Sequence, residues 1–403
     1  MARFGSVTFL LYVVTVIFCS RVAAESRFSG EFSDQYTVFL TKDHLPNQSP
    51  LRDQPSFLTI EAKLVTSLFK GLDFTLNPYY RYDNTDGQRT LFDMHALKLN
   101  ADWKRVRVKV GYDVEFWGVM EFINPVNILN QTDVTEDFLG NRRLGQPMAV
   151  MTLVSRFGTL YLYTLKYFQP MQFRGVNGRL RPVVPIDEDQ VEYGSEEGSK
   201  KVERALRYSG TFKNVFVGVS YFEGYRRDPE MLIKLDSQSI PFLVPRYNLQ
   251  NQAGLELQVT FDNLILKSEG VRRWDTDWKR QSDAVGVGWE YDFGALMDQG
   301  QNISFFNEYY LDRREGSLIV PFNNDFFVGI RLGLNDKRST DLRLWTNYNT
   351  KRNSSDVVML DASARISDQI KVVGTYRGIV SSKAHFDSIA NDSHVTFKIL
   401  IYF

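Results

Sequence analysis

Four histidines (His44, His95, His385, His394) and one cysteine (Cys19) are the obvious candidates for nucleophilic or metal chemistry in this 403-residue chain. A hydrolytic serine needs a histidine held beside it. His95 lies within an alternating segment, residues 90–101, and no serine signature sits on the segments beside it. His44 and His385 fall in connections, and His394 opens the final segment. Phe18 precedes Cys19, where a lipidation site wants a small residue. Zinc-ligand spacings and glycine-rich phosphate loops are lacking. The acidic run Asp187, Glu188, Asp189, Glu192, Glu196 and Glu197 matches no cation-loop spacing and reads as solvated loop. The chain is therefore expected not to be an enzyme and to need no metal or cofactor.

The spacing of the charges is more informative. Arg105, Arg107, Lys109, Asp113 and Glu115 interleave with Val106, Val108, Val110, Tyr112, Val114 and Phe116. Successive side chains of a strand point to opposite faces, so one face is apolar and the other polar. The same parity places Glu61, Lys63, Arg207, Lys267, Glu269, Arg331, Asp341, Arg343, Asp361, Arg365, Lys371 and Arg377 on the polar face. Rows of both signs, with Arg and Lys in excess, can set a transverse field across a pore and favour anions. They can equally form a ladder of ion pairs that stiffens a wall.

These residues need elements to carry them. Period-two segments of about ten residues run through almost the whole chain. Eighteen are expected: 27–40, 56–67, 72–83, 90–101, 105–116, 147–155, 158–168, 202–212, 215–225, 252–261, 264–272, 283–293, 302–311, 325–334, 340–349, 357–366, 370–380 and 394–403. Sixteen is the next choice. Connections alternate short and long, the long ones being 117–146, 169–201, 226–251, 312–324 and 381–393. Segment 117–146 is a candidate to fold inward as a constriction, and 169–201 reads as a solvated loop. The pattern predicts an all-β fold, a transmembrane antiparallel up-and-down β-barrel, because a sheet edge in hydrocarbon would leave backbone groups unpaired. Aromatic pairs near segment ends (Tyr79-Tyr80, Tyr221-Phe222, Tyr309-Tyr310, Tyr402-Phe403) are candidates for interfacial girdles.

Composition agrees. Lys plus Arg and Asp plus Glu each number 48, so no basic surface for nucleic acid is implied. Charged residues make up 24%, which excludes a disordered chain, and a single Cys excludes a disulfide scaffold. Residues 1–24 have the layout of an export leader: Arg3, an apolar run from Val7 to Phe18, and Val22-Ala23-Ala24 before cleavage. That run is shorter than the roughly 20 residues of a spanning helix. The expected domains are thus a leader at 1–24 and a barrel at 25–403. At the far end Phe397, Ile399, Ile401 and Phe403 alternate up to a terminal Phe. This ending is similar to the assembly signal of Gram-negative outer-membrane proteins.

Longer passages carry a family resemblance. Gly111 to Gly118 (GYDVEFWG), Asn124-Pro125, Arg143 to Met148 (RLGQPM), Ala205 to Gly210 (ALRYSG), Gly224 to Pro229 (GYRRDP), Glu308 to Arg314 and Asn324 to Gly329 resemble a porin-like family of proteobacterial outer-membrane barrels, largely uncharacterised. The resemblance implies a porin-like protein and transfers no substrate or functional residue. The expectation is an outer-membrane channel for passive diffusion of small hydrophilic solutes, with anions favoured by the basic excess. The competing readings are a structural or surface-interaction barrel with a blocked lumen, or a channel for hydrophobic compounds. The implied partners are outer-membrane lipids, the barrel assembly machinery and an unknown solute, in a monomer or a homotrimer.

Overall fold

The computed structural model describes residues 26–41, 56–136, 142–276, 280–295, 300–314, 322–380, 389 and 392–403. The expected leader 1–24, its cleavage point near Ala24, and the loop histidines His44 and His385 lie outside those residues. The strands in chain order are β1 (Arg27–Phe39), β2 (Ser56–Phe69), β3 (Leu72–Asp83), β4 (Leu91–Trp103), β5 (Val106–Asp113), β6 (Gln146–Ser155), β7 (Gly158–Leu165), β8 (Glu192–Tyr193), β9 (Glu203–Phe212) and β10 (Val215–Tyr225). They continue as β11 (Glu230–Leu235), β12 (Pro241–Tyr247), β13 (Leu249–Phe261), β14 (Leu264–Asp275), β15 (Gln281–Ala295), β16 (Asn302–Asp312), β17 (Asn324–Gly333), β18 (Asp341–Asn349), β19 (Val357–Arg365), β20 (Ile370–Ile379) and β21 (His394–Tyr402).

All but β8, β11 and β12 belong to one 18-stranded sheet. Each strand pairs antiparallel with its sequence neighbour in that sheet. The sheet closes where β1 pairs with both β2 and β21, Phe32 lying opposite Ile60 on one side and Ile401 on the other. Closure removes the free edges that hydrocarbon would not tolerate. The short connections and the described C-terminus share one rim. Three of those turns begin with a residue at positive φ, namely Lys104 (50°), Lys213 (56°) and Asp262 (40°). Such turns match the right-handed twist of the flanking strands. Gly71 (φ 82°) turns β2 into β3, and a Cβ there would lie 2.9 Å from the Asp102 carbonyl oxygen.

The outward face is apolar: Leu58, Ile60, Phe92, Leu99, Val110, Leu255, Val287, Leu344, Phe397 and Ile399 are all exposed. The inward face differs from expectation in its half nearest the long loops. There Phe222, Val271, Ala284, Phe306, Phe327, Trp345, Met359 and Ile379 are buried in one cluster with Trp117, Val126, Ile128 and Leu129 of the β5–β6 connection. An inward face need be polar only where it meets water, and here it meets protein. The aromatic pairs are corrected by the same parity. Tyr79, Phe222 and Tyr310 are buried, while Tyr80, Tyr221 and Phe403 are exposed, so one member of a pair at most faces outward.

Three boundaries also change. β5 ends at Asp113, which puts Glu115 in the following loop, and Arg105 occupies the β4–β5 turn. β7 ends at Leu165 rather than 168. Connection 226–251 holds the antiparallel hairpin β11–β12, and β12 pairs in parallel with β8 to make a small second sheet.

Candidate functional site

Residues 114–136 and 142–145 form an inner loop that crosses the barrel. Trp117 packs edge-on against Tyr163 of β7, ring centroids 5.5 Å apart, with the Arg207 guanidinium over it. The next stretch has no regular secondary structure, so its backbone N–H groups need other acceptors. Two wall carboxylates supply them. Glu269 of β14 accepts from Val119 (2.6 Å), Met120 (2.9 Å) and Val126 (3.4 Å). Glu308 of β16 accepts from Glu121 (2.6 Å) and Phe122 (3.0 Å). Phe122 then stacks on Phe327 and meets Trp345 edge-on. A carboxyl group presents two oxygens with several lone pairs between them, which suits a cluster of donors.

The return limb crosses to the opposite wall. Asn130 ties the loop's two ends together by donating to the carbonyls of Asp113 (2.9 Å) and Leu144 (2.8 Å). Asp133 meets Arg81 of β3 in a buried ion pair at 2.7 Å. Burial alone would raise the Asp133 carboxyl, but Arg81 more than offsets it and holds it below the usual carboxylate range. Arg142 lies over the Tyr79 ring and pairs with Glu136 (3.1 Å) and Glu61 (3.5 Å). His95 stacks on Tyr79 and contacts Glu61 at 3.2 Å and Asp93 at 3.3 Å.

Most of the charges singled out by parity sit in pairs. Lys109 bonds Asp113 (2.5 Å) and also Glu115, while Lys98 takes the other oxygen of Asp113 at 2.7 Å. Arg207 meets Glu256 through two bonds (3.0 and 2.6 Å). Lys267 pairs with Glu290 (2.8 Å), Arg343 with Glu121 of the inner loop (2.8 Å), and Asp361 with Arg377 (2.6 Å). Nearer the short-turn rim the pairs are open to solvent: Arg107 with Asp102 (3.2 Å) and Arg331 with Asp341 (2.7 Å). Arg105 is exposed in its turn, and Arg365 donates to the Asp368 carbonyl at 3.0 Å. Of the last-strand residues, Phe397, Ile399, Ile401 and Phe403 are all exposed on the outer face.

A second layer covers the long-loop end. Segment 169–201 is not the solvated loop expected. Phe168, Met171 and Phe173 are buried against Tyr225 and Tyr247. Gly175 N–H donates to Asp86 at 2.8 Å, and Arg179 reaches Asp392 (2.7 Å) and the Thr41 carbonyl (2.8 Å). The segment thus ties the β7–β9 side of the mouth to the β1–β21 side. Glu188 accepts from Phe173 N–H at 2.6 Å, and burial pushes its carboxyl up to about 7. The β10–β11 connection adds Arg227, paired with Glu203 (2.8 Å) and donating to the Leu129 carbonyl. Asp228 meets Arg314 at 2.9 Å; burial opposes its charge, and Arg314 with Arg226 overcomes that and keeps it low.

Two cavities flank the inner loop. One, about 330 Å³, lies between the loop, the covering layer and the β13–β20 wall. Arg143, Arg227, Arg273, Arg314, Arg343 and Arg377 face it, against Glu121, Asp228 and Asp361. The other, about 670 Å³, lies between the loop and β2–β5, bordered by Glu61, Lys63, His95, Lys98 and Glu136. Phe116 and Arg143 border both.

Parity along β9 could have found Glu203, which shares a face with Arg207, and the same alternation extended to β3 and β16 would have reached Arg81 and Glu308. Arg142, Arg143, Arg227 and Arg314 lie in irregular segments, where no period marks a direction.

No protein-family model matches the chain, and no curated protein matches it. Among solved structures it aligns with OmpT of Vibrio cholerae, an outer membrane protein in its trimer form (9% identity, 94% of this chain and 100% of that one, TM-score 0.45). It also aligns with a mutant porin of Rh. blastica (12%, 94% and 100%, TM-score 0.43) and with Salmonella typhi OmpF in complex with daunomycin (10%, 94% and 97%, TM-score 0.47). At these values the likeness says nothing about solute, selectivity or assembly.

Proposed function

We propose that this chain is an outer-membrane channel through which small hydrophilic solutes diffuse passively, with anions favoured. The observation that carries the reading is the division of the barrel wall. Its outer face is largely apolar, and its inner face bears paired charges and two cavities either side of a loop that crosses the lumen. A lipid-facing charge costs roughly 2–4 kcal/mol for Arg or Lys near the midplane, so this partition suits a bilayer. The inner loop then sets the narrowest section. The leader at 1–24 would direct export, and the strand ending at Phe403 would be read by the assembly machinery. Homotrimer formation belongs to the same proposal: Asp34 faces outward between Leu58 and Ile399, where subunit packing would shield a carboxylate that lipid would not.

The test is single-channel recording of the refolded mature protein in a planar bilayer. Steady openings with an anion-leaning reversal potential are expected, and closure in three equal steps would mark the homotrimer. A second reading, a blocked structural barrel, is favoured by the Arg179–Asp392 tie across the mouth. Silence from protein shown to be folded would overturn the channel in its favour.

A further inference from the structure

Five of the six arginines that face the first cavity are each held by a carboxylate: Arg227 by Glu203, Arg273 and Arg314 by Asp312, Arg343 by Glu121, and Arg377 by Asp361. Arg143 is not. Its Nη1 donates to the Thr132 hydroxyl (2.6 Å) and the Asn130 carbonyl (3.3 Å). No carboxylate among the described residues lies within ion-pair distance of it, and its Nε and Nη2 have no protein acceptor there. It sits deep within the protein, yet part of its surface stays open, and it borders the cavities on both sides of the inner loop.

A buried charge without a counter-charge is costly, and Arg227 nearby adds repulsion. Two neutral oxygens fix the plane of this guanidinium and leave its other edge to the water-facing space. That edge is a preformed fork for two oxygens of one acid group.

We propose that Arg143 is an oxyanion-binding site at the junction of the two cavities, the step at which a carboxylate, sulfate or phosphate passes the inner loop. Its transport role rests on the channel reading, and its binding role does not. The site is reached from either cavity, and the paired arginines of the first cavity give the approach a positive lean without trapping the solute. Its position decides between this residue and the wall arginines: Arg107 and Arg331 lie in exposed pairs near the rim, where solvent screens them.

Two measurements test it. In a bilayer under a salt gradient, Arg143→Gln should lower the anion-to-cation permeability ratio by at least about three-fold, the factor a unit charge exerts at about 7 Å in water. Arg143→Lys, which keeps the charge, should stay close to wild type. Separately, sulfate at constant ionic strength should raise the thermal unfolding midpoint of wild type and not of Arg143→Gln. If the protein conducts and the ratio is unchanged in Arg143→Gln, the site is wrong and the channel stands. If it does not conduct but the sulfate shift appears and depends on Arg143, the site stands and the channel reading falls. A sulfate shift that survives in Arg143→Gln also overturns the site. If the Gln variant fails to fold, Arg143→Met, of similar length and without the charge, is read in its place, and an unchanged ratio or a surviving sulfate shift in it overturns the site equally.

Discussion

Glu269 holds the crossing loop by main-chain contacts alone, so its removal should be felt in the loop before it is felt in the wall. Glu269→Ala would leave the buried Met120 N–H without an acceptor, at about 1–3 kcal/mol, and the half-buried Val119 N–H with water as its alternative. Deuterium uptake over residues 117–126 should rise well above wild type, with a smaller fall in the unfolding midpoint. Wild-type uptake would show that Phe122 and its aromatic neighbours pin the loop unaided. Strand parity marks Glu269 as inward, and likewise Arg207, whose partner Glu256 is buried. It does not reveal what Glu269 binds, because its partners are backbone groups of a segment without periodicity. Parity also gives equal weight to Arg107 and Arg207. The first sits in an exposed pair of a kind worth about 0–1 kcal/mol, the second in an enclosed one. Burial separates them, and burial comes from the loops.

The covering layer shows the same limit one scale up. Alternation locates all eighteen barrel strands because each has one face against an apolar surround. The hairpin β11–β12 escapes it: Pro241 and Pro245 interrupt the second strand, and proline in a run weakens a strand assignment. Segment 169–201 reads as solvated because its acidic stretch is conspicuous, whereas Met171 and Phe173, with Phe168 just before it, are what dock it. Glu188 makes that docking sensitive to pH. Its carboxyl is raised by burial from 4.5 to about 7 in the folded protein. A group whose pKa rises on folding contributes stability that is full below its unfolded value and lost as pH climbs through the folded one. The segment should therefore be tightest below about pH 4.5 and loosen toward and beyond pH 7. Hydrogen exchange of residues 171–190, corrected for intrinsic rates, should show less protection at pH 8 than at pH 5. Glu188→Gln should flatten that difference, and an undiminished pH dependence in the variant would assign it to another group.

At the scale of the whole molecule, what matters is that the sheet closes on itself, and one residue stands at the seam. The expected strand count and the shared rim of short turns follow from the pattern of alternation, because an up-and-down barrel leaves few other topologies. Which atoms seal the seam between β1 and β21 does not follow from any pattern. Phe403 N–H donates to the Gly30 carbonyl at 3.0 Å, and Gly30 N–H donates back to the Phe403 carbonyl at 2.8 Å. The Phe403 ring lies 6.0 Å from that of Phe28 on the outer face. Phe403 therefore offers two separable features, a backbone clasp and an exposed aromatic ring. Deleting it removes both. Phe403→Ala keeps the clasp and removes the ring. Deletion should sharply lower the amount of heat-modifiable, folded barrel in outer-membrane fractions, while cleavage of the proposed leader, the sign of export, proceeds as in wild type. If the ring is what the assembly machinery reads, Phe403→Ala should fail as badly in cells yet refold normally from denaturant into detergent. If the clasp is what matters, Phe403→Ala should assemble in cells, and the deletion alone should refold poorly in detergent. Normal assembly of the deletion variant would remove Phe403 from both roles and leave the seam to the nine register pairs from Glu31–Tyr402 to Phe39–His394.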